Sequence, residues 1–367
     1  MQNGRAPIRW LFRMTIGVLV FFGVQGCSSF GPRALNKGRP AYNEAIASTN
    51  AEQLLAWIVK MRYGMTSSLL TVASITANIR FSAEGKLEVG IGSSENFAGN
   101  LVPLSGGVSY DESPTIQYLP VQGETHLRQL LAPIPLDLLV LLLNASADPS
   151  NILMTMVSRV NRIPNPEFIL AGEKVRPDRF LKLITLISTL VRADKLKIAE
   201  SKDGKYKFVI WIHDHTPAYE LQVRQLLDLL EIEDVSEQGD EISLPVVWAV
   251  RRPTNQSIAL QTRSVYELLR IASAGIDLPE DDRAEGLTID YPELGPAGGI
   301  VKIHRGKRRP RNAAAVTRHR DWWYYIAGND PGSKQFFNIL EALVSVQLAE
   351  AAKGVSEAPV LTVPVGR

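Results

Sequence analysis

Apolar positions along this chain recur with two different periods, and the alternation between them sets out the elements. Helical spacing of i, i+3 and i+4 links Leu54, Leu55, Ile58, Val59 and Met61. Thr49 and Glu52 ahead of them form a capping-box pattern, and Gly64 is placed to end the helix. Short helices are expected over residues 124–131 and 136–143. A longer one begins at Pro177 with Phe180, Leu183, Ile184, Ile187, Leu190 and Val191 on one face. Another follows Thr216-Pro217, with Val223, Leu226, Leu227 and Leu230 inward. Ser264 and Glu267 make a second capping box before Val265, Leu268, Leu269 and Ala272, with Gly275 at the end. A closing helix over residues 333–349 turns Phe336, Leu340, Leu343 and Val344 inward.

Strand alternation fills the gaps. Ile79 and Phe81 face Leu87, Val89 and Ile91 across a turn at residues 83–86, and residues 115–119 return as a strand. Residues 195–200 and 205–212 flank Asp203-Gly204, the strongest hairpin signal in the chain. Residues 242–250 form a strand in which Pro245 argues for an edge or a bulge. A third hairpin joins residues 313–318 to 322–326. Residues 92–113 are rich in Gly, Ser and Asn and suit a long loop. Asn161 to Pro166 breaks any regular element, which puts a soft boundary near Gly172. The pattern is α+β, helices interspersed with antiparallel hairpins, and argues against a parallel doubly wound sheet. The expected division is residues 41–172 and 173–352, with a tail over 353–367.

The N-terminus follows a different rule. Arg5, Arg9 and Arg13 precede an apolar run of 11 residues, Met14 to Val24, and then Gln25-Gly26-Cys27-Ser28. Eleven residues fall short of the roughly 20 that span a bilayer, but they suit the core of a secretory signal. The end of the run resembles the lipobox of bacterial lipoproteins, with Val24 three places before Cys27 and Gly26 just before it; Gln25 is a less usual occupant. The resemblance covers about the first 29 residues. It implies cleavage after residue 26, lipid on Cys27, and, from Ser28, an outer-membrane address. Residues 27–40, with Gly, Pro, Ser and basic side chains, would be the tether.

Composition supports a folded body: 45% hydrophobic and 21% charged residues are ordinary globular values. Cys27 is the only cysteine, so no internal disulfide can form. Without Arg5, Arg9 and Arg13 the remaining 341 residues carry 37 basic and 38 acidic side chains, and bulk charge predicts no nucleic-acid partner.

Candidate chemistry is sparse. His213-Asp214-His215 on a strand would point both imidazoles to one face about 6.6 Å apart, a separation that suits one metal ion. The plainer reading ends the strand there, with Asp214 and His215 solvated. Arg305, Lys307, Arg308, Arg309 and Arg311, followed by Arg318 and Arg320, form the only dense local charge, and Trp322-Trp323-Tyr324-Tyr325 follows at once. Cations beside aromatics suit an anionic surface such as lipid headgroups or a wall polymer; the alternative is a solubilising loop before a core strand. No nucleophile elbow, P-loop or dinucleotide fingerprint occurs, and no cofactor is expected. Carboxylates at Asp281-Asp282 and between Glu231 and Asp234 could serve a glycosidase-like site. The expected function is a lipid-anchored envelope protein that docks on an envelope protein or anionic polymer. A periplasmic hydrolase acting on wall or glycan and a small-molecule-binding lipoprotein are the alternatives.

Overall fold

The computed structural model describes residues 30–65, 69–76, 79–87, 104–112, 115–121, 124–146, 148–166, 177–201, 204–215, 217–233, 235, 237–238, 240–248, 254–291, 300–353 and 361–364. The apolar N-terminal run and Cys27 lie outside them. The chain divides into two compact units, Met1–Glu52 and Gln53–Arg367.

The first unit contributes the opening turns of helix α1 (Phe30–Arg62), whose last turns belong to the second unit. This corrects two expectations. Residues from Phe30 onward are helical where a tether was expected, and Thr49 is not an N-cap. Its hydroxyl donates back to the carbonyls of Ala45 at 2.8 Å and Ile46 at 3.0 Å, as a threonine inside a helix does. The helix ends where the sequence places its end, at Gly64, whose φ of +66° is the left-handed conformation glycine tolerates. Leu54, Leu55, Ile58 and Val59 are buried.

Strands β1 (Leu69–Thr76), β2 (Ile79–Leu87), β3 (Leu104–Glu112) and β4 (Thr115–Val121) follow. The expected turn at residues 83–86 is absent. Those residues stay extended in β2 and pair with Val108 to Ser105 of β3, inside the stretch expected to be loop. Gly85 opposite Gly106 explains the misreading: glycines that mimic a turn signal sit here within a ladder. Helices α2 (Glu124–Leu131), α3 (Leu136–Ala145) and α4 (Ser150–Met156) lead to β5 (Val157–Val160) and β6 (Ile163–Pro164). Asn161 turns between these two strands at φ +48°.

Next come α5 (Pro177–Arg192), β7 (Leu196–Glu200), β8 (Phe208–His213), α6 (Glu220–Leu230), β9 (Glu237–Gln238), β10 (Glu241–Trp248) and β11 (Ile258–Thr262). They build the central sheet, in the order β6-β5-β11-β10-β8-β7, with β9 also paired to β10. Strands from either side of Gly172 therefore share one sheet. All its pairings are antiparallel except β10 with β11. Cross-strand rows give the sheet one apolar face: Leu196, Ile212 and Ile242 are aligned, as are Ile198, Ile210 and Leu244. Helix α5 packs on the edge strands β7 and β6, and α6 packs on α5. The opposite rows, such as Lys197, Trp211 and Ser243, are exposed or half-buried. Pro245 lies in a central strand, yet pairing with β11 begins only at Val246, so at Pro245 the strand has its partner on one side, β8.

The chain finishes with α7 (Val265–Ala274), α8 (Glu280–Ala284), β12 (His304–Gly306), β13 (Ala313–His319), β14 (Trp322–Ala327), α9 (Pro331–Lys353) and β15 (Leu361–Pro364). Here the second capping box is real: Glu267 N–H donates to Ser264 Oγ, and Ser264 N–H donates to Glu267 Oε2 at 2.7 Å. A side chain at Gly275 would meet the Val301 carbonyl at 2.3 Å, so this cap admits only glycine. The expected closing face of Phe336, Leu340, Leu343 and Val344 is buried. The expected tail contains β15, which pairs with β4.

Candidate functional site: a sheet of cations and aromatics

Strands β12, β14 and β13 form a separate three-stranded sheet with β14 in the middle. The hairpin β13–β14 matches the sequence pattern. The third strand, β12, was hidden in the basic run, because a three-residue strand cannot show an alternation. From His304 to Ile326 the chain carries seven Lys and Arg against one carboxylate, Asp321. Alternation on β14 sends Tyr324 and Ile326 into the core, both fully buried, and leaves Trp322 and Trp323 half-buried.

Each tryptophan is flanked by cations. Lys307 Nζ lies 3.6 Å and the Arg305 guanidinium 4.5 Å from the Trp322 ring centroid. Arg309 and Arg318 lie 5.5 and 6.0 Å from that of Trp323. Such contacts hold a cation against the negative face of the ring. Trp322 and Trp323 are successive residues of one strand, so the cations are shared between two faces of the sheet rather than gathered on one. Arg305 Nε is 3.5 Å from Asp277, and Arg320 is 3.6 Å from Asp282 and stacks over Tyr63 at 5.0 Å. Among the described residues, Lys307, Arg308, Arg309, Arg311 and Arg318 are in no ion pair with a carboxylate, and all five are exposed.

Beneath the sheet lies a polar network that the sequence does not reveal. Tyr63, just past α1, donates its hydroxyl hydrogen to Asp282 at 2.5 Å. Its oxygen lies 2.8 Å from the Tyr324 hydroxyl. With the Tyr63 hydrogen committed to Asp282, Tyr324 is the donor in that second bond. Burial, then the bond to Asp282, raises the Tyr63 phenol above the usual tyrosine range, and burial raises Tyr324. His319 packs its ring 4.7 Å from that of Tyr63. Burial first, and Arg320 second, lower its pKa, which favours neutral imidazole. Phenols held protonated are poor nucleophiles, so the arrangement acts as a brace that ties α1 and α8 to the sheet. Tyr63 and Tyr324 stand 261 positions apart, and no local pattern could join them. Beside this brace Arg62 is 5% exposed with its guanidinium 5.0 Å from the Tyr291 ring, and desolvation lowers its pKa.

The other candidates resolve separately. Strand β8 stops at His213, because Asp214 takes φ +46°. The strand geometry that would aim both imidazoles at one ion is therefore not formed. His213 stacks on Trp211 at 4.1 Å and bonds Asp214 at 3.2 Å, while His215 Nδ1 sits 3.1 Å from Asp240. His215 is buried, contrary to the solvated reading; Asp214 is exposed. Among the described residues no group of three ligating side chains comes together. Of the acidic candidates, Asp282 serves Tyr63, and Glu231 pairs with Arg162 at 2.5 Å and lies 3.7 Å from Arg179. No described helix is long and apolar enough to cross a membrane. In comparisons with known proteins, no family model, no curated protein and no solved structure matches the chain.

Proposed function

We propose that this protein is a lipid-anchored cell-envelope protein, tethered through Cys27, that docks on an anionic membrane surface through the β12–β14 sheet. The observation that carries the reading is the set of five exposed cations without carboxylate partners, three of them stacked on half-buried tryptophans. Tryptophan beside Lys and Arg suits a membrane–water interface, where the ring sits at headgroup level and the cation meets phosphate. Each Lys or Arg near an anionic surface contributes about 1 kcal/mol, and the attraction decays within a Debye length. The tether removes the need for tight binding, since it already holds the body at high local concentration. The Trp322–Trp323 end of the sheet, where cations from both faces meet, then needs only to orient the body.

The test uses residues 28–367 with vesicles of phosphatidylglycerol or phosphatidylcholine in a sedimentation assay. Binding to the anionic vesicles that falls with salt is expected. The triple variant Arg308→Ala, Arg309→Ala, Arg311→Ala weakens it by roughly 100-fold, the equivalent of about 3 kcal/mol. Equal binding to both vesicle types, or a triple variant that binds like the parent, rejects the docking surface. Intact mass of the native product, compared with a Cys27→Ser form, tests the anchor.

A further inference from the structure

The space between the central sheet and helices α5 and α6 is not filled. A cavity of about 490 Å³ opens there, within the roughly 300–1,000 Å³ of ligand pockets. Its walls are aliphatic: Val160 and Leu260 from the central sheet, Leu153 from α4, and Ile184, Leu226 and Leu230 from α5 and α6. Ile187 and Val191 line it too, which explains why these two residues of the apolar face of α5 are only half-buried. A concave, mostly apolar space of this size with a few polar groups at one end is the usual form of a small-molecule site. Among the described residues, no wall side chain carries a buried polar atom lacking a hydrogen-bond partner. An occupant would therefore find no hydrogen bond waiting inside, and any polar group on it would be stranded.

Polar lining residues gather at one place. Asn144, Asp194 and Lys197 border the cavity and are exposed, which marks its mouth. Asn144 donates from Nδ2 to the Ile198 carbonyl at 3.2 Å, and Lys197 Nζ bonds Asp194 at 2.9 Å. The mouth thus belongs to edge strand β7 and the end of α3, where a headgroup can stay in water while a chain enters. A space of about 490 Å³ lies in the lower half of the ligand-pocket range, which suits one chain.

We infer that this cavity binds a single aliphatic chain, the tail of a one-chain amphiphile whose head remains at the Asn144–Lys197 mouth. A free fatty acid and a one-chain phospholipid share that tail and differ in the head. The site is independent of the β12–β14 sheet and of the docking reading.

The test titrates the full chain carrying Cys27→Ser, so that no tail comes from its own cysteine. Saturated fatty acids of increasing length and lysophosphatidylglycerol compete against a fluorescent fatty acid. Affinity is expected to rise with chain length and then level off as the cavity fills. Ile187→Trp and Val191→Trp, which place a large ring in the space from half-buried positions, each reduce affinity at least tenfold while keeping or raising the melting temperature. Competition by the acid alone or by the lysolipid alone assigns the head, and either supports the cavity. Affinity independent of chain length, or unchanged by both tryptophan variants, overturns it. If the tryptophan variants fail to fold, the parent decides: a melting temperature that rises with fatty-acid length supports the site, and one that does not move refutes it. The Arg308, Arg309, Arg311 triple variant keeps the parent's fatty-acid affinity whether or not it binds vesicles.

Discussion

The β12–β14 sheet and the layer beneath α5 and α6 are built from opposite materials. The sheet places charge over aromatic rings at the surface and braces them with a tyrosine–aspartate network. The layer is aliphatic on nearly every side, and its few polar side chains sit at the mouth or fix the backbone. Asn161 is the clearest of the latter: its Nδ2 donates to the Leu230 carbonyl and its Oδ1 accepts from Ala259 N–H, both at 2.7 Å. Charge over rings announces itself in sequence as composition. An empty space among leucines and isoleucines announces nothing, because the same residues read as ordinary core. A surface that meets charge must display its chemistry, whereas a space for hydrocarbon consists of what is missing.

If the two regions are separable, damage to one should spare the other. Asn161→Ala would have the largest effect on the aliphatic side. It leaves the Leu230 carbonyl and the Ala259 N–H buried without partners and holds alanine at φ +48°. A loss of about 2–4 kcal/mol in urea unfolding is expected, with vesicle binding unchanged below the melting temperature. A neutral result would mean that the helix end is not held to the sheet by this side chain. Tyr63→Phe tests the braced side. It removes the donor to Asp282, which is left with the Arg320 guanidinium 3.6 Å away, and a loss of about 1.5–3 kcal/mol is expected because the acceptor is a carboxylate. Fatty-acid affinity at the cavity should not move with it; a parallel fall would show the regions coupled.

The smallest effect concerns α9, which packs on β14. Asp330 caps it, accepting from the Ser333 hydroxyl at 2.6 Å and the Ser333 N–H at 3.0 Å. The Ser333 hydroxyl bond above all, with the Ser333 N–H adding to it, holds the Asp330 carboxyl below its usual value of 3.8. Its contribution is therefore complete above that usual value and is lost as pH falls through the lower, folded one. Asp330→Ala should cost about 1 kcal/mol at neutral pH. The difference from the parent should shrink toward zero in acid; a gap that persists there would mean the cap does not act through its charge.

Where sequence reading succeeded, local chemistry and tertiary context agreed. Ser264 and Thr49 carry the same capping pattern, and only Ser264 starts a helix. The segment before Ser264 is strand β11, so the backbone arrives extended, as a cap requires. The segment before Thr49 is already helical, and its hydroxyl turns back on that helix. Gly204 takes φ +64° in the connection between β7 and β8, though the second strand starts at Phe208 rather than at residue 205, whereas Gly85 lies inside a ladder, a choice made by its partner strand rather than its neighbours. At the candidate sheet, composition singled out the cations and aromatics. The partition of those cations between two faces, and the reach of Tyr63 and Asp282 to Tyr324, depend on contacts between distant segments and left no local trace.

The pairing of β15 with β4 carries a consequence for how the chain is made. Leu361 to Pro364 lie alongside Tyr118 to Thr115. On a ribosome β4 emerges long before its partner, and contacts of such sequence separation form slowly. Until β15 joins, β4 has β1 on one side and an open ladder on the other, a template for a neighbouring unfolded chain. The four residues of β15 thus work as a late latch. Their arrival ends the interval in which this sheet is most exposed to misassociation.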